Sequence, residues 1–164
     1  MGAEPPARTA PPRHPSPRSR SPERGLAVTR RPLIGVGAVV FNARNEILLI
    51  KRGKAPRYGE WMVPGGTLEW GETLEEAVRR EVREETGIDI EIETFVELIE
   101  AITPGDGGFH YVIMDYAARS LGGVLAAASD ALDAVWVPLD SLGGFDLSAD
   151  LLRVIEKARR STGR

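Results

Sequence analysis

From residue 33 onward the chain alternates short apolar runs with polar breaks, at spacings that predict several strands and two helices. Leu33–Phe41 (LIGVGAVVF) is a continuous apolar run of strand length. A polar turn at Asn42-Ala43-Arg44-Asn45 follows, and Glu46–Arg52 (EILLIKR) folds back as a hairpin. Residues 53–60 form a basic loop broken by Gly and Pro, and Trp61–Val63 predicts a short strand stopped by Pro64-Gly65-Gly66. Thr73–Thr86 has apolar residues at 74, 77, 78 and 82, the period of a helix; Thr73 and Glu76 make a capping box, and Gly87 is the stop. Ile88–Thr103 is strand-rich with alternating acids, Pro104–Gly108 a turn, and Phe109–Ala117 a further strand. Ala134–Val137 is a short strand ended by Pro138, and Ser148–Arg160 a second helix with Leu151, Leu152, Ile155 and Ala158 on one side. Many strands with two helices place the chain in the α+β class, as an α/β/α sandwich with a mixed β-sheet between helices.

Composition divides the chain unevenly. Residues 1–31 hold seven of the twelve prolines, seven arginines and no aromatic residue, and carry a net charge of +5 against −8 for residues 32–164. A segment this poor in apolar surface cannot offset its ordering entropy, so 1–31 is expected to be a disordered tail and 32–164 the folded domain. The tail contains a minimal P-x-x-P at Pro12–Pro15. An acidic domain is a poor surface for duplex nucleic acid, which needs a Lys/Arg footprint. The apolar run Leu33–Phe41 is only nine residues long, too short for a membrane helix. The absence of cysteine excludes a disulfide framework, a thiolate metal site and a cysteine nucleophile, and fits a reducing, cytoplasmic compartment.

The first helix does not read as a core helix alone. Leu74, Ala77, Val78 and Val82 form its buried stripe, while Glu75, Glu76, Arg79 and Arg83 face solvent, with Glu75–Arg79 and Glu76–Arg80 as i,i+4 pairs. Glu81, Glu84 and Glu85, however, fall in an arc of about 100° that overlaps the apolar stripe. Clustered carboxylates at the edge of a core repel one another and resist ionisation. Either Arg80 neutralises them as an acidic edge, or a hard divalent ion does so in an all-oxygen site.

Their spacing adds a further fact. Gly66, five residues, Glu72, seven residues, Arg80-Glu81-Val82, one residue, Glu84-Glu85, one residue and Gly87-Ile88 match every defined position of the Nudix box. With the W-x-x-P-G-G lead-in at Trp61–Gly66, the preceding hairpin and Trp136-Val137-Pro138-Leu139, the chain resembles the Nudix hydrolases over about residues 33–160.

That resemblance implies a Nudix fold and a metal-dependent pyrophosphohydrolase acting on a nucleoside diphosphate linked to another group, such as ADP-ribose or another NDP-sugar. Two alternatives stand beside it: a nucleoside triphosphate pyrophosphohydrolase of the oxidised-nucleotide-cleansing kind, and a non-catalytic ligand-sensing module. It implies Mg²⁺ or Mn²⁺ held by Glu81, Glu84, Glu85 and the Gly65 carbonyl, with Arg80 orienting a box carboxylate and Glu72 supporting the loop–helix junction. Glu81 matches the box glutamate that serves some members as general base, Glu84 stands with it as a catalytic candidate, and Asp130 and Asp133 are candidates outside the box. Arg52, Arg57 and Asp130 are the candidate substrate contacts, ahead of Lys51 and Lys54. Trp70, Phe109, His110 and Tyr111 are candidates to stack on a base, whereas Trp61 and Trp136 are assigned to packing. The implied partner is a small nucleotide, not a duplex or a membrane, and a homodimer is compatible with the family.

Overall fold

The computed structural model describes residues 31–55, 57–105 and 108–164. Apart from Arg31, the expected tail, with its P-x-x-P motif, lies outside these residues.

Nine residues of unbroken apolar text put β1 (Leu33–Phe41) at the centre of a seven-stranded mixed sheet. β2 (Glu46–Arg52) turns back from it through Asn42, whose side-chain carbonyl accepts the Arg44 and Glu46 N–H groups at 2.9 and 3.0 Å. β3 (Trp61–Met62) and β7 (Ala131–Pro138) both pair with β2, antiparallel. On its other side β1 runs parallel to β6 (Phe109–Gly123), from Leu33 opposite Tyr111 to Phe41 opposite Arg119, and β6 pairs antiparallel with β5 (Ile88–Thr103).

Strand alternation sorts β1 onto two cores. Val36, Ala38 and Val40 pack with Ala77, Val78 and Val82 of α1 (Leu74–Thr86), while Val39 and Phe41 pack with Val154, Ile155 and Ala158 of α2 (Ala149–Ser161). One helix per sheet face gives the expected α/β/α sandwich. No helix among the described residues is long and apolar enough to cross a membrane.

Four local expectations change. β3 ends at Met62, ahead of Pro64 as expected, but Gly65–Thr67 then forms a further strand, β4, antiparallel to Gly35–Gly37. Only glycine fits there, because a Cβ on Gly65 would lie 2.2 Å from the Val36 carbonyl oxygen. β6 runs six residues past Ala117, since Gly122 and Gly123 adopt positive φ angles of 132° and 117° and still pair with Asp89 and Ile88. β7 begins at Ala131 rather than Ala134, because a register shift between Lys51 and Arg52 keeps it paired to the end of β2. Leu152 is exposed, because the stripe of α2 that meets the sheet is Leu151, Val154, Ile155 and Ala158.

Candidate active site

The site begins with how α1 is started and stopped. The Thr73 hydroxyl accepts the Glu76 N–H at 3.3 Å and the Glu76 carboxylate accepts the Thr73 N–H at 2.7 Å, the complete capping box. Gly87 closes the other end with φ 72° and an N–H donated to the Arg83 carbonyl at 2.9 Å. Glu75–Arg79 pairs as expected at 2.9 Å. Glu76–Arg80 does not form, since Glu76 is engaged in the cap and Arg80 turns to the opposite side.

There Arg80 ties the loop to the helix. Its Nε and Nη2 donate to the two Glu72 oxygens at 3.0 and 2.6 Å, and Nη2 also reaches the Thr67 carbonyl at 3.1 Å. Its Nη1 donates to Glu81 at 2.8 Å and to Glu84 at 3.3 Å. The Glu72 bonds hold the guanidinium above its ordinary range, and the same bonds, with the Glu69 N–H, hold the Glu72 carboxyl below its own. Arg80 thus orients two box carboxylates, and Glu72 locks the loop to the helix.

Glu85 is 2% exposed, and its Oε2 accepts the Gly65 N–H at 2.9 Å. Burial pushes its carboxyl up to about 7; the Glu81 charge adds to this, while the Gly65 bond and the Arg52 charge oppose it. Burial also raises Glu81, against the pull of Arg80. Gly66 makes room for that carboxylate, since a Cβ there would lie 2.2 Å from Glu81 Oε1. Glu84 is half exposed. The two glycines therefore press β4 between the backbone of β1 and the acidic side of α1. Among the described residues no three acidic or histidine side chains are grouped closely enough to chelate an ion as they stand, and Arg80 engages Glu81 and Glu84. The donor set is nonetheless all oxygen, and two of its members are carboxylates that burial penalises when ionised, which suits a hard divalent cation.

On the α2 side of the sheet, a cleft of about 610 Å³ reaches Gly65 and Gly66. Arg52 and Arg57 both line it, as does Tyr111. Arg52 donates from Nε to the Lys54 carbonyl at 3.1 Å, and Arg57 to Glu60 at 2.8 Å. Asp130 is paired with Lys54, its carbonyl accepts the Gly53 N–H at 2.6 Å, and its charge is felt at Glu81 and Glu85. Asp133 is exposed and bonds the Ala134 N–H at 2.8 Å. Trp70 is fully exposed at the tip of the loop before α1. Phe109 and Tyr111 pack with their rings tilted by 58°, 5.7 Å between centroids, at the cleft. His110 is not among the residues lining that cleft; its Nε2 is buried without a hydrogen bond, 3.8 Å from Glu100. Trp61 packs edge-on to Phe145, and Trp136 packs against the α1 core, both as expected. Of the cleft residues that the sequence did not single out, the most buried acid is Asp115, in the middle of β6 and only 5% exposed. The available signal was a lone acid inside the apolar stretch VIMDYAA.

Residues 31–158 match the family model described as NUDIX domain. The chain is 36% identical over 125 residues to the 8-oxo-dGDP phosphatase NUDT18 of Homo sapiens, covering 74% of this chain and 37% of that protein. It is 35% identical over 111 residues to the ADP-ribose pyrophosphatase of Methanocaldococcus jannaschii, covering 68% and 64%. The chain spans about a third of the length of the first curated relatives it matches. Among solved structures, the MutT NUDIX hydrolase from Burkholderia pseudomallei superposes with a TM-score of 0.68 at 33% identity, covering 78% of this chain and 98% of that one. The NUDIX domain of Shewanella oneidensis NrtR, complexed with ADP ribose, gives 0.67 at 27% identity, covering 81% and 90%.

Proposed function

The chain belongs to the NUDIX family, and from that premise we propose that it hydrolyses the pyrophosphate bond of a nucleoside diphosphate or its derivative in a reaction dependent on a divalent metal. The carrying observation is the pair Glu81 and Glu85, carboxylates that burial penalises, set against Gly65 and Gly66, two glycines that line the open cleft. Together with Glu84 and the Gly65 carbonyl, these residues would hold Mg²⁺ or Mn²⁺. When bound, such an ion neutralises pyrophosphate oxygens and acidifies a water. Arg80 keeps Glu81 and Glu84 oriented. Arg52 and Arg57 supply positive charge along the cleft for the phosphate chain. Glu81, raised by burial, is the candidate to accept the proton of the attacking water, with the Asp130 charge biasing it in the same direction.

The relatives' names support a diphosphate-linked nucleotide: one is called an 8-oxo-dGDP phosphatase and another an ADP-ribose pyrophosphatase. The deciding experiment incubates the full chain with Mg²⁺ or Mn²⁺ and ADP-ribose, nucleoside diphosphates including 8-oxo-dGDP, or nucleoside triphosphates, and identifies products by chromatography. A nucleoside monophosphate released from a diphosphate-linked substrate, and abolished by chelator, is expected. Release of pyrophosphate from triphosphates in preference would move the assignment to the triphosphate-cleaving reading. No metal-dependent cleavage in any arm would leave a ligand-sensing module.

A further inference from the structure

Asp115 stands on the α2 face of β6, directly across from Gly37 of β1. A Cβ on Gly37 would fall 2.3 Å from Asp115 Oδ1, so the missing side chain of that glycine is what admits the carboxyl. The residue is 95% buried by its 5% exposure, and it lines the cleft that reaches Gly65. Two strand spacings separate it from β4, roughly 10 Å.

It is also unpartnered. No hydrogen bond or ion pair reaches Asp115 among the described residues, although two cations are close to its neighbour. Glu97, opposite it on β5, receives both Arg153, at 2.8 and 2.9 Å, and Lys157. Burial pushes the Asp115 carboxyl up to about 6; the Glu97 charge adds to this and the Arg153 charge opposes it. The carboxyl meets no donor of the protein where it lines the cleft, and a fold that assigns its nearby cations to the adjacent glutamate leaves this one available to something that enters there.

We propose that Asp115 is a specificity residue whose carboxylate accepts the adjacent N1–H and N2–H₂ donors of a guanine-type base. This rests on the reading of the cleft as a nucleotide site. A carboxylate is acceptor-only and takes two parallel donors well. Guanine and its 8-oxo form offer two neighbouring donors on one edge. Adenine and cytosine set an acceptor beside their amine, and uracil flanks its one N–H with acceptors. Ile99 and Ile113 beside Asp115 supply apolar surface for the base.

Binding separates this inference from the catalytic one. Isothermal titration of the metal-free protein with GMP, IMP, AMP and CMP should give GMP the tightest binding, IMP weaker for want of the 2-amino group, and AMP and CMP weaker by about ten- to a hundredfold. Asp115→Asn should erase the GMP preference while CMP binding stays in place and the protein remains folded. Equal affinity for GMP and AMP in the wild type, or a GMP preference unchanged in Asp115→Asn, overturns the assignment. Should the variant fail to fold, the GMP-to-IMP ratio of the wild type decides alone. A GMP preference without turnover sinks the hydrolase reading and keeps this one; turnover indifferent to the base does the reverse.

Discussion

α1 and α2 are a natural pair. Each has thirteen residues, an N-cap hydroxyl and one face of the same sheet to cover. They differ in what they do with their acids. On α2, Glu156 receives Arg159 and Arg160, whose hydrogen bonds bring its carboxyl down to about 2, and Arg153 and Lys157 reach across to Glu97. On α1, Glu85 faces the interior with a single backbone N–H as its hydrogen-bond partner and is pushed up to about 7. A helix whose acids serve only stability keeps them exposed and paired. One that keeps an acid buried and poorly compensated carries a destabilising feature that a ligand must justify.

The largest test exchanges each acid for its amide. Glu85→Gln should lower Mg²⁺-dependent turnover by more than the roughly 10- to 100-fold that loss of an outer-shell partner produces, whereas Glu156→Gln should leave it at the wild-type rate. Equal losses in steady-state assays would erase the distinction between the helices.

The pH dependence of stability should then run in opposite directions. Glu85 has a raised carboxyl, so the folded state holds its proton longer; in chelator its contribution falls as pH rises from about 4.5 to 7, by up to about 3 kcal/mol. Glu156 has a lowered carboxyl, so its contribution is present above about 4.5 and is lost as pH falls toward 2. Urea melts of wild type, Glu85→Gln and Glu156→Gln across this range, with and without Mg²⁺, isolate the two slopes. Added Mg²⁺ should flatten the Glu85 slope alone.

The smallest effect concerns the caps, where the helices should agree. Thr73→Ala and Ser148→Ala each remove a hydroxyl that accepts a first-turn N–H, and each should cost about 1 kcal/mol in the same melts. A large drop in turnover for Thr73→Ala at unchanged α1 helicity would mean that the cap also places the loop bearing Glu72.

What could be read from the chain follows the range of the interactions. α1, its capping box, its Gly87 stop and the inward arc of Glu81 and Glu85 depend on residues within a few turns, and all were legible. Arg80 was expected to pair with Glu76 four positions back, but its partner Glu72 lies in a loop whose course is fixed by β4 against β1. That pairing is non-local, so β4 was not legible either. Asp115 was missed for the same reason. Its isolation depends on Gly37 across one strand and on Glu97, Arg153 and Lys157 across another, and nothing in VIMDYAA shows that the neighbouring cations are already engaged.

The parallel pairing of β1 with β6 has a consequence for how the molecule is made. The hairpin, β4 and α1 are all synthesised before Tyr111–Arg119, yet the central strand they lean on lacks one neighbour until that segment arrives. Late closure of this kind raises contact order and slows folding. The acidic helix should therefore leave the ribosome ahead of its floor, and a chain arrested before β6 should expose the apolar run of β1 to proteases and chaperones.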